Sequence, residues 1–251
     1  MQQQLVQANN RAAPQANRKA LVIGNDRYQS LPKLRNAGQD ARLLSENLRR
    51  VGYRVNLQLD QTEKQMKATL RQFKNTLDPG DEVVVFYAGH GVQLAGANYL
   101  IPVDTVGDSE DAVRDESIAV QRVLDDIAER RAQVALIILD ACRDNPFRQS
   151  GRSSIGGARG LAPTSAATGQ MIVYSAGIGQ QALDSLGPKD TEPNSVFTRV
   201  FVREMHKPGL SLDKIVRNVR SEVVSLARSI NHEQVPAIYD QVIGEFFFIK
   251  P

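Results

Sequence analysis

The 251-residue chain carries 31 Lys+Arg against 28 Asp+Glu, a net charge of +3, with 41% hydrophobic residues and one cysteine. That length and apolar fraction suit one α/β domain with a substantial core. The near-balanced charge does not suggest a nucleic-acid-binding footprint, although pI ≈ 9.0 leaves a basic surface patch open; the single cysteine excludes a disulfide framework and a cysteine-based zinc site, and no run of 18 apolar residues is present to cross a membrane.

Residues 1–17, rich in Gln, Asn and Ala, have neither a basic start nor an apolar core. They read as a disordered lead-in and not as a signal peptide, which leaves a cytoplasmic location expected unless the N-terminus is trimmed from a secreted precursor. Residues 18–251 read as one domain. Lys19–Gly24 is an apolar run with the character of a buried strand. Ala37, Ala41, Leu44, Leu48 and Val51 form the stripe of an amphipathic helix, and Gly52 falls where a C-cap belongs. Tyr53–Leu59 is a second strand. Thr62 and Gln65 make a capping box for a helix carrying Met66, Leu70, Phe73 and Leu77, which Asp78-Pro79-Gly80 ends. Glu82–Tyr87 is a third strand.

Gln93-Leu94 and Tyr99-Leu100-Ile101 flank Ala95-Gly96-Ala97-Asn98, a hairpin expected to lie over the site. The acid-rich stretch with Asp108, Glu110, Asp111, Asp115 and Glu116 reads as a solvated loop; a calcium site is the weaker alternative, since no EF-hand spacing is present. A helix with Val120, Val123, Leu124 and Ile127 inward precedes a fourth strand, Gln133–Leu139. Residues 146–169, full of Pro, Gly, Ser, Thr and Arg, read as a long mobile linker. It divides a larger N-terminal part, to about 145, from a smaller C-terminal part, 170–251. Met171–Tyr174 is a fifth strand. One helix opened by Asn194 or Ser195 buries Val196, Phe197, Val200 and Phe201. A second, opened by Ser211, buries Leu212, Ile215, Val216, Val219 and Val223. Phe246–Ile249 reads as the last strand. Alternating strands and helices imply βαβ units and an α/β fold with a mostly parallel sheet of about six strands.

Two motifs stand where predicted strands give way to loops: Tyr87-Ala88-Gly89-His90-Gly91 and Leu139-Asp140-Ala141-Cys142-Arg143-Asp144. The carboxyl edge of a parallel sheet is where ligands collect. A thiol becomes a useful nucleophile as its thiolate, and a neighbouring imidazole can take the proton. Cys142 and His90 are therefore the candidate nucleophile and acid/base. The N–H of Gly91, with that of Cys142, is placed to receive an oxyanion. A lone cysteine is otherwise a small hydrophobe, and His206 and His232 read as structural, His206 as a cation suited to a helix C-terminus.

His90 precedes Cys142 by 52 residues, and the Ala141-Cys142-Arg143 context matches a known signature of caspases. Together with Ala20-Leu21-Val22-Ile23-Gly24-Asn25 and Leu100-Ile101-Pro102-Val103-Asp104, these stretches make the chain resemble the caspase-like cysteine peptidases, and among them the paracaspases and bacterial caspase-family proteins, from about Arg18 to Ile249. The resemblance implies a caspase-type sheet flanked by helices on both faces, no cofactor and no metal. It also implies a peptide substrate bound beside strand five. A homodimer is compatible with it, and no nucleic acid or membrane partner is expected. The sequence departs from animal caspases at Asp140, where they carry Gln, and from metacaspases at Arg143-Asp144. Paracaspases cut after arginine or lysine, and the acidic positions that would line their specificity pocket match Asp40, Asp140 and Asp184. Arg35 is a rival feature, suited instead to an acidic side chain. Arg152 and Arg159 in the linker are candidate self-cleavage positions. The other class of reading is a proteolytically silent scaffold that signals by dimerising or binding partners.

Overall fold

The computed structural model describes residues 15, 17–142, 164–177 and 180–251, Cys142 by its backbone. Arg143, Asp144, Arg152, Arg159 and most of the predicted linker lie outside the described residues, as does nearly all of the lead-in. The fold is α/β. Five strands run parallel: β1 (Arg18–Gly24), β2 (Arg54–Leu59), β3 (Glu82–Leu94), β6 (Val134–Cys142) and β7 (Gln170–Tyr174). A final strand, β8 (Ala237–Asp240), is antiparallel to β7, and the order across the sheet is β2-β1-β3-β6-β7-β8. Two short strands, β4 (Ala97–Leu100) and β5 (Ile118–Ala119), extend β3 at one end.

Alternate residues of each central strand point to opposite faces, and both faces are apolar. Val22, Val84, Phe86, Leu136 and Ile138 pack on one face against α1 (Ala37–Arg50), α5 (Val196–Met205) and α6 (Leu212–Arg228). Leu21, Val83, Val85, Ile137 and Ile172 pack on the other against α2 (Glu63–Thr76) and α4 (Val120–Ala128). That two-sided burial is why the strands read as unbroken apolar runs instead of alternating ones. The helix stripes fall as expected: Ala37, Ala41, Leu44 and Leu48 are buried along α1, and the Thr62–Gln65 capping box is present. Gly24 lets α1 close on β1, since a Cβ there would stand 2.5 Å from the Ala37 carbonyl oxygen. Among the described residues no helix is long and apolar enough to cross a membrane.

Three expectations need correction. First, β3 does not stop at Tyr87. It continues through the His90 motif to Leu94, exchanging its parallel neighbours for β4: Gly91 faces Leu100 and Leu94 faces Ala97. The glycines that suggest a turn are accommodated in extended backbone, and the hairpin turn narrows to Ala95-Gly96, both at positive φ (48° and 81°) as a tight turn of mirror-image type requires. Second, Phe246–Ile249 is not the closing strand. Phe246 and Phe248 are buried beside α5 and α6, and a single bridge joins Phe247 to Ser211; the strand-like alternation records packing of aromatic rings, and β8 takes the sheet edge. Third, the acid-rich stretch contains a short helix, α3 (Glu110–Asp115), whose N-cap Ser109 accepts from the N–H of Ala112.

Candidate active site

The parallel register pairs Ala88 with Asp140, Gly89 with Ala141 and His90 with Cys142, and that last pair is the final row of β3–β6 pairing. Adjacent strands lie about 4.8 Å apart, so the histidine and cysteine backbones are immediate neighbours where the two strands part.

His90 is held from every side. Its N–H donates to the Tyr28 hydroxyl (2.8 Å), and its carbonyl accepts from the Tyr87 hydroxyl (2.8 Å) and the Ile101 N–H (3.1 Å). The Tyr28 ring lies against the imidazole, with centroids 4.4 Å apart. Gly89 permits this closeness, because a Cβ there would stand 2.6 and 2.7 Å from the Tyr87 and Tyr28 hydroxyls. His90 is 5% exposed. Nε2 sits 2.7 Å from the Pro32 carbonyl oxygen. A carbonyl only accepts, so Nε2 carries the proton and the lone pair of the neutral ring is on Nδ1. Nδ1 is buried and has no hydrogen-bond partner among the described residues. Burial pushes the His90 pKa down, with the Pro32 carbonyl opposing, and this favours the neutral ring that a base must be.

His90 turns its N–H and C=O towards Tyr28 and Ile101, on the β1 side. Successive residues of a strand turn these groups to opposite sides. The N–H of Gly91 therefore points to the side on which β6 ends at Cys142.

Behind this row lies a narrow pocket lined by Leu34, Asp40, Gly89, Asp140, Asp184 and Ser195, among others. It gathers the three candidate carboxylates from α1, β6 and the segment before α5. Asp40 (2% exposed) accepts at Oδ1 from Asn194 Nδ2 (2.9 Å) and the Ser195 N–H (3.0 Å). Asp140 (8% exposed) accepts at Oδ2 from the hydroxyls of Ser195 (2.7 Å) and Thr198 (2.9 Å). Burial, reinforced by the charge of Asp140, pushes the Asp40 pKa up to about 8. Burial first, then Asp140 and Asp26, push that of Asp184 up as well. Asn36 fixes the Asp184 backbone by donating to its carbonyl at 3.0 Å. Arg35 is exposed and does not line the pocket.

A caspase-domain family matches residues 17–247 of the sequence. The chain belongs to the caspase-domain family. Two relatives align over 125 residues at 34% identity: the human mucosa-associated lymphoid tissue lymphoma translocation protein 1 and its mouse homologue. Each alignment covers 49% of this chain, but only 15% of the human and 14% of the mouse protein. Membership supports a hydrolase of the cysteine-peptidase class for this caspase-domain protein.

The sequence does not point to Pro32, Tyr28 or Thr198, nor to the bond of Asn194, read there only as a helix opener, with Asp40, because each works through a contact between distant segments. Ser195 is legible as a helix cap, and it does accept from the Thr198 N–H at 3.1 Å; its second bond, 55 residues back to Asp140, leaves no local mark. His206 is corrected in part. It ends α5, 2.7 Å from Asn47 Oδ1, but burial and Arg50 push its pKa down, against the cation the helix end would favour. His232 lies 2.8 Å from the Gln181 carbonyl. Among the described residues no group of three or more His, Cys, Asp or Glu is arranged to hold a metal ion.

Proposed function

We propose that the protein is a cysteine endopeptidase that cleaves after arginine or lysine. His90 takes the thiol proton of Cys142 at Nδ1, and the thiolate attacks the scissile carbonyl carbon. The Gly91 and Cys142 N–H groups receive the resulting oxyanion. The C–N bond then breaks as the imidazolium returns its proton to the leaving amine, and water hydrolyses the thioester with His90 again as base. The observation that carries the basic specificity is the convergence of Asp40, Asp140 and Asp184 on one pocket beside Gly89, one residue from His90. Carboxylates desolvated together favour a partner of opposite charge, and a guanidinium suits them. Steady-state kinetics on matched peptides ending in arginine, lysine and aspartate test the reading. Turnover of the basic peptides, abolished by Cys142→Ala and by His90→Ala, is expected. A preference for aspartate would promote Arg35 and defeat it, and no turnover at all would leave the silent scaffold.

The same specificity extends to the chain itself. Arg152 and Arg159 lie outside the described residues, but they are tethered within 20 residues of Cys142, and tethering raises effective concentration to about the millimolar range. Self-cleavage after one of them is expected, absent from Cys142→Ala. An active protein whose intact mass stays that of a single chain on ageing sinks self-processing and spares the peptidase.

A further inference from the structure

Among the described residues, the four donors to Asp40 and Asp140 come from the start of α5: Asn194 Nδ2, the Ser195 N–H, and the hydroxyls of Ser195 and Thr198. Of these residues Ser195 serves both carboxylates, giving its N–H to Asp40 and its hydroxyl to Asp140. It is 3% exposed and lines the pocket. These donors reach Asp40 Oδ1 and Asp140 Oδ2; among the described residues none is given to Asp40 Oδ2 or Asp140 Oδ1, one oxygen from each residue to which a ligand could donate. An acceptor pair divided between two carboxylates favours a donor group that is itself forked. The guanidinium presents five N–H donors in a fixed plane, whereas an ammonium is a compact point charge.

We propose that Ser195 is a positioning residue for substrate specificity: by tying both carboxylates to one helix start it sets their free oxygens for a guanidinium, and so selects arginine over lysine. The inference rests on the proposed basic specificity and deepens it. The like charges make the arrangement costly without such a tie; Asp40 already resists ionising beside Asp140. Thr198, on the first turn of α5, supports Asp140 from the same side but reaches no atom of Asp40 among the bonds described.

Ser195→Gly is the informative change. Glycine is well tolerated at an N-cap and keeps the N–H to Asp40, while the hydroxyl on Asp140 is lost. The expected result is a KM for arginine peptides raised about tenfold with kcat within about twofold, a smaller change for lysine peptides, and an arginine-to-lysine ratio lowered accordingly. Ser195→Thr, which restores a hydroxyl and a cap, should recover most of both. Calorimetric binding of an arginine-ended peptide to Cys142→Ala, with and without Ser195→Gly, reads the same contact free of turnover. Equal affinity in those two proteins, or an unchanged arginine-to-lysine ratio, overturns the role of Ser195 while leaving the peptidase intact. Binding to Cys142→Ala that Ser195→Gly weakens, in a protein whose parent does not cleave, supports it and removes the peptidase reading instead. An arginine peptide that does not bind Cys142→Ala at all overturns both.

Discussion

The chain has two concentrations of acid, and they are built in opposite ways. Asp108, Glu110, Asp111, Asp115 and Glu116 are neighbours in sequence, yet they spread over the surface around α3. Asp111 pairs with Arg114 at 2.8 Å with its side chain 87% exposed, and Glu116 accepts from the N–H groups of Val106 and Gly107. Asp40, Asp140 and Asp184 are far apart in sequence and meet in one buried pocket. In the first group Asp111 and Glu116 are each met locally, by a neighbouring arginine and by nearby backbone N–H groups. In the second, two of the carboxylates are fixed by designated donors, and water is largely excluded. Charge density in a sequence therefore says little about chemistry; a shared, desolvated volume says much more.

The widest separation between the two groups should come from neutralising one carboxylate in each. Asp140→Asn keeps the shape and offers an amide oxygen to Ser195 and Thr198, but removes the charge a guanidinium would meet. Losing one partner of a buried charge pair costs ~2–5 kcal/mol, and kcat/KM for arginine peptides should fall correspondingly, by ~30-fold or more. Asp111→Asn should leave kcat/KM within about twofold, because an exposed pair of this kind is worth roughly 0–1 kcal/mol and lies on another element. Similar losses in the two variants would mean that the pocket acids act only through net charge, and the distinction drawn above would collapse.

What the sequence makes legible of these regions follows from the range of the contacts involved. Periodicity reveals α1 through Ala37, Ala41, Leu44 and Leu48, and α2 through its capping box, because those signals are local. The apolar runs before His90 and Cys142 place both at one sheet edge, and the register sets the two residues opposite each other on adjacent strands. Asp40, Asp140 and Asp184 all come from the family resemblance, and Asp140 is the best placed of them in sequence because it stands two residues from Cys142. The continuation of β3 past His90 is hidden because glycines normally weaken a strand, and only pairing with β4 compensates. The aromatic tail misleads for the opposite reason: the alternation of Phe246 and Phe248 is real burial, but burial under helices and not within the sheet. The tyrosine hydroxyls on His90 and the α5 donors on the acids join segments 55 or more residues apart, apart from the Tyr87–His90 bond, and no local pattern encodes them.

A second contrast is titration. Asp40 faces Asp140 on β6, with Asp184 and Asp26 in the adjoining loops, and its donors are Asn194 and Ser195. With a folded pKa near 8 against about 3.9 when unfolded, the native state holds a proton that the unfolded chain has released across that interval. Native stability from this group is complete below pH ~4 and is lost as pH rises towards 8, at a slope of at most about 1.4 kcal/mol per pH unit. Asp40→Asn should flatten that part of the pH–stability curve measured by urea unfolding between pH 5 and 8. Arginine binding needs the ionised form, so KM for arginine peptides should improve over the same interval in the wild type. Curves of wild type and Asp40→Asn that run parallel would show that Asp40 ionises normally despite its burial.

The smallest effect should come from the surface cluster, and it should touch stability alone. Ser109 caps α3 by accepting from the N–H of Ala112 at 3.1 Å. Glu110 and Asp111 follow in the first turn, where negative charge suits the helix dipole. Ser109→Ala removes that acceptor and should cost ~1 kcal/mol or less, since α3 has only six residues and a single fully buried side chain, Val113. Because α3 lines neither the pocket nor the His90–Cys142 row, kcat/KM for arginine peptides should hold within about twofold while the urea midpoint falls slightly. Ser195 offers the matched case, a serine cap whose hydroxyl also reaches an acid, so the same kind of change there should register in KM. A Ser109→Ala protein that loses arginine turnover at full folded content would place the surface acids in communication with the pocket, and the two clusters would then have to be treated as one.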